Sequence, residues 1–115
     1  MYARRRITRS VDTDITPKGD YDYKRLVSPD ERTPFNALWI TVNGTHSLRR
    51  VIAGIRNYYV IRGTGSFSID YEVYKVTEGD LITIYPDECY SYEGKMELFE
   101  FNIDIGDGIG HEDVT

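Results

Sequence analysis

Between Phe35 and Ile103 the chain alternates apolar and polar residues with a period of two, the spacing of side chains along a strand. Leu38, Ile40 and Val42 alternate with Ala37, Trp39 and Thr41. The Asn43-Gly44 pair that follows accepts positive φ and predicts a tight turn. Further strands are predicted over Leu48–Ala53 and Arg56–Arg62, with a break at Gly54 and an end at Gly63-Thr64-Gly65. Phe67, Ile69, Tyr71 and Val73 resume the alternation, and Asp70-Tyr71-Glu72 reads as a hairpin apex. Glu78-Gly79-Asp80 turns the chain into Leu81–Tyr85, and Pro86-Asp87-Glu88 turns it out. After Glu93-Gly94 comes a last strand, with Phe99, Phe101 and Ile103 alternating with Leu98, Glu100 and Asn102. Upstream, Tyr21–Val27 reads as an early strand before a turn-forming loop, Ser28 to Pro34. No segment has convincing helical periodicity. Seven or more short strands with regular turn signals predict an all-β sandwich or barrel.

The 115 residues suit one domain with a sizeable core, and no repeat or linker interrupts it. The expected boundaries are an N-terminal arm (1–20) with a short strand around Ile7, a barrel (21–105) and a loose glycine-rich tail (106–115). His111 to Thr115 of that tail could dock on a neighbour. Ten tyrosines suit half-buried sheets. The net charge of −5 argues against nucleic acid as a partner. Arg4, Arg5, Arg6 and Arg9 crowd the start, and Glu97, Glu100, Asp104, Asp107, Glu112 and Asp113 crowd the end. The arm is expected to fold over the acidic end of its own or a partner chain. A lone Cys89 excludes an intrachain disulfide, points to a reducing compartment and reads as a small core or rim residue. No stretch approaches the ~20 apolar residues of a membrane helix, so a cytoplasmic location and no membrane partner are expected.

Tyr58-Tyr59-Val60-Ile61-Arg62-Gly63-Thr64-Gly65 resembles the strand and turn of the first cupin motif. Glu78-Gly79-Asp80-Leu81-Ile82-Thr83-Ile84-Tyr85-Pro86 is similar to the second, and the two stand one hairpin apart, as in that family. The resemblance spans residues 36–103 and implies a cupin-type jelly-roll β-barrel and a homodimer. It also implies a metal centre of three histidines and a glutamate. Counting from Gly63 and Pro86, the ligand positions fall at Arg50, Ile52, Arg56 and Tyr90. Arginine keeps its proton and isoleucine has no donor atom, so no metal and no cofactor are expected. The two histidines offer no rescue: His46 reads as an exposed residue near a turn, and His111 lies in the tail. Neither has an apparent catalytic partner nearby in sequence.

Arg56, Tyr58 and Val60 share one face of their strand. The resemblance turns Arg50 and Tyr90 toward the same cavity, with Tyr92 in Tyr90's parity and Trp39 at the wall. Guanidinium forks bind carboxylates and phosphates, and aromatic faces stack on sugars or rings. The expected function is therefore a metal-independent barrel that binds a small sugar-like or anionic molecule. Equally, Arg50 and Arg56 could pair with barrel carboxylates such as Glu97 or Glu100. Two alternatives stay open. One is a structural or interaction homodimer; the other is a metal-free sugar isomerase or epimerase, with Tyr90 or Tyr92 as proton donor and no identified base.

Overall fold

The computed structural model describes residues 7–29 and 33–114. After a 3-10 turn at Ser10–Asp12 the described residues form eight strands: β1 (Ile15–Pro17), β2 (Tyr21–Val27), β3 (Phe35–Ala53), β4 (Ile55–Ile69), β5 (Glu72–Thr77), β6 (Leu81–Ile84), β7 (Cys89–Ile103) and β8 (Gly110–Asp113). All pair antiparallel. The order is β1-β2-β3-β7-β4-β5, with β6 added to β4 and β8 to β3. This is the all-β jelly-roll barrel that the alternation and the cupin resemblance imply.

Three strands are much longer than the sequence pattern predicts, because residues read as turns lie inside them. Asn43-Gly44 continues β3, Gly63-Thr64-Gly65 continues β4 and Glu93-Gly94 continues β7. Their glycines serve a close crossing instead of a reversal. Gly94 pairs with Gly44 on one side and Gly65 on the other. A Cβ on Gly94, whose φ is +144°, would meet Gly65 Cα at 2.5 Å. The true reversals are the predicted ones: Asp70 and Tyr71, both at positive φ, join β4 to β5.

Bulges change which parity faces the core. In β3, Leu38, Ile40, Val42 and His46 point inward; a register shift between His46 and Arg49 then turns the odd positions inward, so that Val51 is buried. In β4, Arg56, Tyr58 and Val60 give way to Phe67 after a shift between Val60 and Arg62. β7 keeps even parity throughout, burying Tyr90, Tyr92, Met96, Leu98, Glu100 and Asn102. One core results, aliphatic around Val60, Ile84 and Leu98 and aromatic around Tyr58, Phe67, Tyr90 and Tyr92.

The chain ends differ from expectation. Ile7 is in no strand; the N-terminal strand is β1, paired to β2. The tail expected to be loose folds back as β8 beside β3, with Arg49 opposite Asp113, Arg50 opposite Glu112 and Val51 opposite His111. Arg4, Arg5 and Arg6 lie outside the described residues, as does part of the 28–34 loop. Among the described residues no helix is long and apolar enough to cross a membrane.

Candidate functional site: an aromatic cavity with two histidines

A cavity of about 450 Å3 opens at one end of the barrel, within the usual range for small-molecule sites. Strands β2, β3, β4, β7 and β8 each contribute to it. Its inner wall holds Tyr58, Tyr90, Tyr92, His46, Arg56 and Glu100, while the exposed Lys18 and Arg25 stand at its mouth.

Of the six residues expected at the site, Arg56, Tyr58, Tyr90 and Tyr92 come together, and Arg50 and Trp39 do not. Trp39 has outward parity in β3, opposite Lys24 and Phe99, and is half-buried on the outer face. Arg50 lies outside the cavity, paired with Glu112 of β8. The bulge after His46 is the reason: it turns Arg49 inward where simple counting selects Arg50. Arg49 lines the cavity and binds Asp113 through Nε at 2.6 Å.

Both histidines lie in the cavity wall, not at an exposed turn or in a loose tail. His46 is 4% exposed, stacked on Tyr92 and Tyr90 with ring centroids 4.5 and 5.7 Å apart. Asn43-Gly44, a turn signal in the sequence, instead continues β3 and carries His46 onto its inward face. His111 enters from β8, with Nε2 2.9 Å from Arg49 Nη1 and Nδ1 3.3 Å from the Tyr90 hydroxyl. Only the pairing of β8 with β3 could have revealed that, and no periodicity signals a four-residue strand that begins in a glycine-rich stretch.

The His46 ring has a defined polarity. Nδ1 lies 2.7 Å from the Ser47 carbonyl oxygen. A carbonyl can only accept, so Nδ1 carries the hydrogen and Nε2 of the neutral ring keeps its lone pair. Burial pushes His46 down to about 4, helped by the charges of Arg49 and Arg56. His111 is lowered to about 3 by the same causes, burial first. Both rings are therefore neutral at pH 7. Burial raises Tyr58 and Tyr92 well above the usual phenol value. Tyr90 is also raised by burial, with Arg56 acting in opposition.

Arg56 does not wait for an anion. Its Nη1 binds Glu100 Oε2 at 2.7 Å, both side chains being almost fully buried. Glu100 also accepts from Asn102 Nδ2 at 2.7 Å, and Asn102 donates in turn to Asn36. This is the pairing with a barrel carboxylate that the sequence left open. The residues do not fit a family-type metal. The inward positions are Arg49, Val51, Arg56 and Tyr90: two cations, an alkyl group and a phenol held protonated. Among the described residues no three His, Cys, Asp or Glu side chains cluster suitably for a metal ion.

Residues 58–102 match the AraC-like ligand binding domain family. No curated protein matches the chain in sequence. Among solved structures it is similar to Pac13, described as a unique nucleoside dehydratase, at 20% identity and a TM-score of 0.83, covering 96% of this chain and 92% of that one. Streptomyces PAC13 variants with a single histidine-to-glutamine or tyrosine-to-phenylalanine change, solved with uridine, align at 19% identity and the same TM-score, over 97% and 92%. The plu4264 protein of Photorhabdus luminescens aligns at 24% identity and a TM-score of 0.70, over 91% of this chain and 90% of that one. Salicylate 1,2-dioxygenase of Pseudoaminobacter salicylatoxidans aligns at 18% and 0.68, over 78% of this chain and 26% of the larger one. Strand order, the two motif segments and these likenesses agree on the fold: a small cupin-type jelly-roll barrel.

Proposed function

We propose that the cavity binds a small neutral sugar-bearing molecule of the nucleoside type, without a metal, and that His46 is its general base. The observation that carries this reading is the buried, neutral His46 with Nε2 unprotonated among three tyrosines. It supplies the base that the residues alone did not reveal. A positioned imidazole and a phenol form an acid–base pair of the kind that proton transfer needs. The fold likeness to a nucleoside dehydratase and its uridine complexes supports the choice of ligand and of reaction class. In a dehydration, His46 Nε2 would take a C–H proton while the C–O bond breaks. The departing hydroxide takes a tyrosine proton, leaving a C=C bond and water, and the imidazolium then returns its proton to the phenolate.

Neutral ligands are favoured over anions because Arg49 and Arg56 each hold a carboxylate of their own. Titration calorimetry with uridine, backed by thermal shift with sugars, sugar phosphates and carboxylates, tests the reading. Saturating uridine, at about 100 times its Kd, should stabilise the fold by about 2.7 kcal/mol. His46→Gln should keep binding within about tenfold while losing turnover of any nucleoside substrate. If uridine and neutral sugars do nothing and carboxylates alone stabilise the protein, the reading is wrong.

A second reading concerns assembly. Apolar side chains line up across the outer face, with the partly exposed Phe35 opposite Ile103 and Tyr59 opposite Leu81. A homodimer through this face would cover them. A monomer by sedimentation at 100 times a micromolar working concentration, roughly the range where standard interfaces persist, would exclude it. The free, half-buried Cys89 agrees with a reducing, cytoplasmic setting.

A further inference from the structure

The hydrogen bonds around Tyr90 have a direction, and Arg49 sets it at one end. A guanidinium has five N–H donors, no acceptor, and no accessible deprotonated form. Arg49 Nη1 stands 2.9 Å from His111 Nε2, so that nitrogen must accept. In the neutral His111 ring the hydrogen then sits on Nδ1, which faces the Tyr90 hydroxyl at 3.3 Å and donates to it. From the opposite side the Tyr58 hydroxyl donates to Tyr90 oxygen, also at 3.3 Å. Arg56 adds a positive charge beside these phenols, its guanidinium carbon 6.0 Å from the centroid of the Tyr90 ring.

Donors therefore converge on Tyr90 from both ends. Its oxygen accepts twice, so its own O–H is the proton left to give, and the phenolate left behind is held by two donors. Tyr58 spends its proton on Tyr90, and Tyr92 has no protein partner for its hydroxyl among the described residues. We propose that Arg49 fixes the tautomer of His111 and so makes Tyr90 the proton donor of the cavity, opposite the His46 base. Arg49 and His111 are positioning residues: they act through Tyr90. The device is assembled by β8, whose Asp113 and Glu112 tie down on Arg49 and Arg50 and hold His111 in place. The role of Tyr90 in chemistry rests on the acid–base reading above; the direction of the bonds does not.

Long-range proton–nitrogen NMR of ligand-free protein with 15N-labelled histidine tests this at pH 7. Two histidines give a simple spectrum, and His111→Gln identifies its signals. Both rings should be neutral, with hydrogen on Nδ1 and a bare Nε2, the minority form of free histidine in water. Arg49→Met should move His111 toward the Nε2–H form and leave His46 unchanged. A wild-type His111 protonated on Nε2, or on both nitrogens, overturns the proposal, as does an Arg49→Met protein whose His111 keeps the Nδ1–H form. Should Arg49→Met not fold, the wild-type spectrum alone still decides. Because no ligand is present, failure here leaves uridine binding standing, and failure of uridine binding leaves this relay standing.

Discussion

Removing Glu100 should be among the most damaging single changes in the barrel, and more damaging than removing its partner. Arg56 and Glu100 are 6% and 7% exposed at the side chain and 2.7 Å apart. Arg56 Nε has no hydrogen-bond partner among the described residues. Breaking a buried pair from one side costs about 3–5 kcal/mol, because the remaining charge stays desolvated. The two sides differ in chemistry. Arg56→Met leaves a carboxyl that can take up a proton, and so falls near the low end. Glu100→Leu leaves a guanidinium that cannot lose one, and also deprives Asn102 Nδ2 of an acceptor. It falls near the high end. Against a total stability of about 5–15 kcal/mol this is a large share. With a urea slope near ~2 kcal/mol/M, the midpoints should drop by about 1.5 and 2.5 M. The double variant Arg56→Met/Glu100→Leu buries no charge and should recover most of the loss, giving a coupling of about 2 kcal/mol or more. Single losses below about 1 kcal/mol, or additive effects in the double variant, would refute the placement of a desolvated ion pair at the cavity floor.

Stability should also depend on pH through His46. Its folded value, about 4, lies below the unfolded 6.5, so the unfolded chain binds the extra proton between those values. The contribution is full above pH 6.5 and is lost as pH falls to 4, about 3 kcal/mol in all; denaturation midpoints across this window should slope downward, and His46→Gln should remove one proton's worth of slope. Gly94→Ala should unfold the protein or cost at least ~2 kcal/mol by calorimetry, because the added Cβ meets Gly65 Cα and Thr64 O at 2.5 Å. Arg50→Ala, which removes a side chain paired with Glu112 outside the cavity, should leave uridine affinity by calorimetry unchanged to within about twofold. Tyr90→Phe should fold normally, keep uridine binding within about tenfold and lose turnover, as judged by product formation under saturating nucleoside.

What the sequence discloses here is local, and what it hides is set by bulges and long-range pairing. Period-two alternation located every principal strand because each buries one face, and the even parity of Tyr90, Tyr92, Leu98, Glu100 and Asn102 persists along an unbroken β7. Arg56, Tyr58, Tyr90 and Tyr92 were legible for that reason. Arg50 was misplaced because a bulge adds one residue between His46 and Arg49, and one residue exchanges inside for outside. Glycines 44, 63, 65 and 94 read as turns because a turn and a close backbone crossing ask for the same missing Cβ. His46 was lost with the false turn beside it. His111 was beyond local reading altogether: 62 residues separate it from Arg49, its hydrogen-bond partner.

The charges of the cavity carry a consequence for selectivity. A metal-binding cupin keeps neutral imidazoles and a carboxylate around a cation; here cations occupy two of those places, and the compensating carboxylates come from the protein. Glu100 neutralises Arg56 from within the barrel, and Asp113 neutralises Arg49 from the returning tail. An incoming carboxylate or phosphate would have to displace one of these partners and leave it buried or unpaired, which makes anion binding costly. A polar molecule without charge faces no such exchange. It can meet hydroxyls, an imidazole lone pair and aromatic faces as they stand. On the proposed reading, the pairing of each inner arginine with its own acid is what makes a site rich in arginine favour neutral, hydroxyl-bearing rings over anions. Lys18 and Arg25 at the mouth remain to act on charge from a distance.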